Sequence, residues 1–136
     1  MDEQYISYET AKLADEKGVD LYTKIIYVET EEHTMTDHHN GNEYTFEYKP
    51  PHLHHENFNH SYDKLLCKAY NQTILHKWLR EVNNIHVEIH RDEDMWKFEL
   101  YTIIGGNKHI PTEFKNYSTY EDALEGGLVA GLNLIK

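Results

Sequence analysis

Apolar positions recur at helical spacing in three stretches of the chain and alternate in three more. "ISYETAKLADEKGVD" (6–20) predicts a first helix. Ser7 suits its N-cap, because a hydroxyl oxygen can accept an orphan backbone N–H. Ile6 can staple against Ala11, Glu9 favours the positive end of the helix, and Gly18 can take the left-handed position that stops it. "NQTILHKWLREVNN" (71–84) predicts a second helix capped by Asn71 and stopped by Asn83-Asn84. Ile74, Leu75, Trp78, Leu79 and Val82 fall on its apolar face, and His76, Lys77, Arg80 and Glu81 face away. A third helix follows "STYEDALEGGLVAGLNLI", where Ser118 and Glu121 have capping-box spacing and Leu124, Leu128, Leu132 and Ile135 form the stripe.

Strand signals lie between these helices. "YTKIIYVET" (22–30) is rich in β-branched and aromatic residues. "EYTFEYK" (43–49) alternates Tyr44, Phe46 and Tyr48 against Glu43, Thr45 and Glu47. The sequence predicts that these two strands pair as a hairpin, with polar residues 31–42 and the Asn40-Gly41 turn at its tip. Pro50-Pro51 is expected to end the second strand, leaving "HLHHENFNHSYD" as a loop, before a short strand at "KLLCKAY". "IHVEIHR" (85–91) and "MWKFELYTII" (95–104) read as a hairpin about Asp92-Glu93-Asp94. Its inward residues are Ile85, Val87 and Ile89 on one strand and Trp96, Phe98 and Leu100 on the other. Gly105-Gly106-Asn107 breaks it, and residues 108–115 can add an edge strand. The expected architecture is a single α+β domain over 1–136: an antiparallel sheet of four to six strands with three helices mainly on one face. Ala123, Gly127 and Gly131 leave one helix face nearly bare. Such a face suits close packing on the sheet, or else a helix–helix contact between two copies in a homodimer.

Charge changes the picture. The net charge is −11. Residues 1–63 hold 14 acidic against 4 basic side chains, a net of −10, and residues 64–136 hold 10 against 9, a net of −1. No basic footprint exists for phosphate, which argues against direct binding of nucleic acid. A basic protein surface would be attracted instead. One cysteine, Cys67, excludes an internal disulfide and a Cys-rich zinc site. The first residues lack a signal-peptide pattern, and no apolar run approaches 18 residues, so a cytoplasmic protein without a membrane span is expected.

Histidines supply the candidate chemistry. Six of the eleven fall in residues 37–60, beside Asp37, Glu43, Glu47 and Glu56. No metal site is expected; His52, His54, His55 and His60 are the weak alternative set. His55-Glu56 with His60 misses the His-Glu-x-x-His spacing by one residue, so on a helix the rings would diverge by about 140°. Asp37-His38-His39 on a hairpin tip, with Asn57 or Asn59, superficially fits an HNH-type nuclease, but the helix for the last metal ligand is missing at that spacing. Phosphate-binding loops, nucleophile elbows and dinucleotide fingerprints are absent, and no cofactor is expected.

The motifs "ISYETAKLA", "WLREVNNIHVEI" and "YEDALEGGL" together resemble a group of small proteins encoded by phages and prophages of gut Bacteroidetes. The likeness spans about half the chain by motif and leaves out the acidic middle. The chain departs from it at Tyr70-Asn71, where the group often has proline-threonine, and in the histidine-rich insert. The resemblance implies phage origin and no particular activity. The final ββα unit is also similar in outline to HicB-type antitoxins. The resulting expectation is a non-catalytic binding protein that engages a host protein in the host cytosol, where it could mask a basic nucleic-acid-binding surface. Its contacts would be Glu29, Glu31, Glu32, Asp37, Glu43 and Glu47, with Tyr44 and Tyr48 as aromatic anchors. The alternatives are a metal-dependent HNH-like nuclease, a histidine-rich metal-binding protein and a HicB-like antitoxin module.

Overall fold

Each of the three helices starts at a side chain that caps it. The computed structural model describes residues 4–102 and 108–136. The Gly105-Gly106-Asn107 break and the expected strand end at Ile103-Ile104 lie outside the described residues. Helix α1 spans Tyr8–Glu16, and Ser7 Oγ accepts from Thr10 N at 3.2 Å. Gly18, at φ +82°, follows its last turn. Helix α2 spans Gln72–Asn83, where Asn71 Oδ1 accepts from Ile74 N at 2.8 Å, and Asn84 closes the helix in the left-handed region. Helix α3 spans Tyr120–Asn133. Its cap is Thr119, not Ser118: Thr119 Oγ1 accepts from Asp122 N at 3.0 Å. The frame moves by one because Tyr117 is held in a two-bond bridge to Trp96, with N–O distances of 2.7 and 2.8 Å. Ser118 is thereby left to carry the chain out of the bridge.

The protein is α+β, with eight antiparallel strands among the described residues. They fall into three small sheets instead of one. The chain forms two compact units, one of the described residues up to Val19 and from Tyr70 onward, the other of Asp20–Ala69.

In the first unit, β6 (Ile85–Asp92), β7 (Met95–Thr102) and β8 (Lys108–Ile110) form a sheet in that order. Asp92 faces Met95 across the tight turn, where Glu93 has φ +57°. α2 packs on β6, α3 packs on β6 and β7, and α1 packs on α3. Ile6, Leu75, Leu79, Leu100, Leu128 and Leu132 are fully buried in this unit. The Ala123–Gly127–Gly131 stripe is occupied within the chain. A Cβ at Gly127 would meet Val87 Cγ1, and one at Gly131 would lie 3.1 Å from Leu79 Cδ1. The bare face therefore serves close packing, and these contacts leave it unavailable as a dimer seam.

Two expected faces shift. On α2 only Leu75 and Leu79 are fully buried; Ile74 and Val82 are exposed and Trp78 is half-buried. His76, expected to face away, instead donates from Nε2 to Val87 O on β6 at 2.8 Å. α2 packs against β6 and α3, and the margins of its apolar stripe stay exposed. On β7, Leu100 is buried while Trp96 and Phe98 are half-buried.

In the second unit, β1 (Ile25–Thr30) lies between β4 (Lys49–His55) and β5 (Asp63–Lys68). A separate hairpin joins β2 (His33–Thr36) to β3 (Glu43–Phe46). The expected pairing of 22–30 with 43–49 thus fails except for Thr30 facing Lys49: β1 pairs with β4, the strand that contains the prolines, and β3 pairs with residues that had read as loop. Pro50-Pro51 does not end a strand. Both prolines lie on the edge strand β4, where a missing N–H costs no central ladder bond. The register also shifts there, with Val28 facing His52 and Thr30 facing Lys49, so the prolines sit at a bulge.

Candidate functional site

The acidic residues singled out by sequence lie on β1, the β2–β3 hairpin and their connections. Glu31 and Glu32 link β1 to β2 and are exposed. Asp37 opens the turn. Its backbone N–H donates to Asn42 O at 2.8 Å, Gly41 N donates back to its carbonyl at 2.7 Å, and its carboxylate accepts from His39 N at 2.8 Å. Gly41 has φ +73°, which a side chain would strain. Glu43 begins β3 opposite Thr36, and Tyr44 faces Met35. Glu47 and Tyr48 follow β3 and are exposed. Tyr48 is not an uncommitted anchor, because its hydroxyl donates to Glu29 Oε2 at 2.7 Å. From 29 to 48 the chain carries six carboxylates and no lysine or arginine.

Sequence reasoning found the Tyr44 and Phe46 side of β3 but missed its partner strand, which brings His33 and Met35 to the same face. Cross-strand register pairs His33 with Phe46 and Met35 with Tyr44 on one face. The other face carries Thr34 and Thr45, whose hydroxyls meet at 3.2 Å. His33 is stacked between two rings, with centroids 4.8 Å from Phe46 and 3.6 Å from Tyr62 and planes within 11° and 10°. Met35, Tyr44 and Phe46 remain 46%, 48% and 47% exposed, so this ladder is open to solvent. The readable signal was His33 and Met35, two apart, mirrored across the Asp37–Asn42 turn by Tyr44 and Phe46.

Of the histidine segment expected as a loop, His52–His55 belong to strand β4, whereas residues 56–62, with His60, lie outside any strand. His52 and His54 share one face of β4, and His55 lies on the other. Each is engaged by nearby backbone: His52 Nδ1 donates to Pro50 O at 2.8 Å, His54 Nδ1 to His55 O at 2.8 Å, and His55 Nδ1 accepts from Asn57 N at 3.2 Å. His60 tilts against Phe58 at 3.9 Å. Among the described residues no three His, Cys, Asp or Glu side chains converge as a metal set. Asp37, His38 and His39 sit in the β2–β3 turn, and the next helix in sequence, α2, begins at Gln72.

The first unit holds a different titratable cluster on β6 and β7. His90 Nε2 lies 3.2 Å from Glu99 Oε2 and 3.4 Å from Glu88 Oε2, without a directed hydrogen bond to either. Glu88 and Glu99 face each other across the strands. Tyr101 donates to Glu99 at 2.8 Å; that bond holds the Glu99 carboxyl below its ordinary value and pushes the Tyr101 phenol up. An open cleft of about 460 Å³, lined by Ser7, Glu9, Thr10, Lys115, Tyr117 and Asp122 among others, lies in the same unit. Burial raises the Tyr117 phenol there. Cys67 is a buried thiol on β5. No helix among the described residues is long and apolar enough to cross a membrane. No protein family, curated protein or solved structure matches the chain.

Proposed function

We propose that the chain is a non-catalytic binding protein whose acidic 29–48 segment engages a basic surface on a partner protein. The carrying observation is the run of six carboxylates without a single lysine or arginine, on strands and turns whose side chains are mostly exposed. Like-signed charges held on an ordered hairpin attract a cationic surface over about a Debye length, ~10 Å at 0.1 M salt. We further propose a partner in the bacterial host cytosol, such as a nucleic-acid-binding protein whose basic groove is masked.

The test is affinity capture from a Bacteroidetes lysate at 50 and 300 mM salt, with captured proteins identified by mass. Wild type is compared with a variant carrying Glu31→Gln, Glu32→Gln, Asp37→Asn and Glu43→Gln. A basic protein held by wild type at low salt and lost by the variant is expected. Equal capture by both would refute the reading, and the acidic segment would then serve solubility alone.

A further inference from the structure

The open face of the β2–β3 hairpin departs from what a merely solubilising acidic arm would present. A two-stranded ribbon has no second layer to cover its apolar side. Here that side is built from Met35, Tyr44 and Phe46, each close to half exposed, continued by the Phe46–His33–Tyr62 stack. The stack fixes Phe46 in orientation, so its outward face is ordered in advance of any partner. Glu43 leaves the opposite side of a ribbon only two strands wide, Asp37 sits at its tip, and Glu47 follows β3 directly. All therefore lie within screening distance of whatever touches the rings.

Three occupants could cover aromatic rings of this kind. Single-stranded nucleic acid stacks on such platforms, but its phosphates need a cationic groove, and residues 29–48 offer none. A second copy would bring six more carboxylates against the first six. A cationic segment meets both features at once. Between the two basic side chains, arginine is the better fit: its planar guanidinium stacks on a ring face and still presents N–H groups to carboxylates, whereas lysine is a compact, strongly hydrated point charge.

We infer that the His33–Met35–Tyr44–Phe46 face of the hairpin is a docking surface for an arginine-rich segment of a partner protein, with guanidinium groups on Tyr44 and Phe46 and the flanking carboxylates supplying the charge. This inference rests on the acidic-arm reading above and adds to it the side of the arm that is used and the residue it selects.

Calorimetric titration with octa-arginine and octa-lysine peptides tests it, in 50 mM salt, on wild type, on a Tyr44→Leu/Phe46→Leu variant and on the four-acid variant. Leucine keeps apolar bulk in the strand while removing the ring faces, and urea midpoints establish that each variant is folded. Wild type should bind octa-arginine roughly tenfold tighter than octa-lysine. The leucine pair should bring that ratio close to one with octa-lysine affinity retained, and the four-acid variant should weaken both peptides. An arginine preference that survives in the leucine variant, or none in wild type, overturns the docking face while leaving the acidic-arm reading intact. Failure of wild type to bind either peptide overturns both. Tight binding of an octanucleotide RNA, or a wild-type dimer dissolved by the leucine pair, would also overturn it by naming another occupant.

Discussion

Two adjacent glycines of α3 give a sharp test of how the helix is seated. Gly126 and Gly127 both sit in the helix interior, so alanine at either should gain about 1 kcal/mol of helix propensity. Their surroundings differ. A Cβ at Gly127 would press on Val87 Cγ1 and lie 3.2 Å from both Cβ and Cγ of Phe98. Val87 is buried, β-branched and paired with Leu100 in the sheet, so neither its rotamer nor its backbone yields easily. Overpacking of this kind costs about 1–3 kcal/mol, and near the upper end Gly127→Ala should lose about 2 kcal/mol net of the propensity gain. A Cβ at Gly126 meets the hydroxyl end of Tyr117, a half-buried side chain that can swing aside. Gly126→Ala should therefore fall between unchanged and about 1 kcal/mol more stable. Urea unfolding followed by tryptophan fluorescence measures this, since Trp78 and Trp96 both report on the unit containing α3. If Gly127→Ala proves as stable as Gly126→Ala, the close seating of α3 on β6 is wrong.

Other expectations follow from the caps, the core and one histidine. Thr119→Ala should cost about 1 kcal/mol and Ser118→Ala almost nothing in the same assay; the reverse order would restore Ser118 as the cap. Leu75→Ala should cost about 2–5 kcal/mol, while Val82→Ala, at a position 61% exposed, should stay within about 0.5 kcal/mol. Burial holds the His76 imidazole below its ordinary value, against the raising effect of its Val87 hydrogen bond, with Arg80 and His86 adding to the depression. The unfolded chain then takes up this proton first as pH falls. Stability should drop below about pH 6.5 and level off beneath the folded value, and His76→Gln should flatten that drop in pH-dependent urea midpoints. An unchanged slope in the variant would place the pH dependence on other groups.

The helices were legible because their ends are written locally. Ser7, Asn71, Gly18 and Asn84 each act on backbone groups within a few residues, so spacing alone finds them. The β6–β7 hairpin was legible because a short turn fixes its register and its alternation runs unbroken. The middle strands were not. Pro50-Pro51 reads as a stop unless the strand is known to be an edge with a bulge, and edge status depends on pairing with β1, more than twenty residues away. "HTMT" is too short and too polar to announce β2, and only its pairing with "EYTF" makes its apolar side visible. The acidic positions of the candidate site were therefore readable as charge, and Tyr44 and Phe46 as an alternation, but the His33–Met35 half of the face was not. The error on α2 has a related origin: helical periodicity marks the centre of the buried stripe, and the elements packed against it, β6 and α3, decide where burial stops.

The discontinuous make-up of the first unit bears on the order of events during synthesis. α1 emerges early, yet the helix it packs on, α3, is made roughly a hundred residues later. Residues 20–69, by contrast, contain all the partners of their own strands and can pair as soon as Lys68 is available. Once paired, they shorten the flexible chain between α1 and α3 by about half, which lowers the entropic cost of closing that loop by about 0.6 kcal/mol. Tyr70 then has its place waiting: its hydroxyl donates to Val19 O at 3.3 Å, and its carbonyl accepts from Ile6 N at 3.0 Å. Early pairing of residues 20–69 would leave fewer free residues between Val19 and Tyr70 while α3 is still to be made.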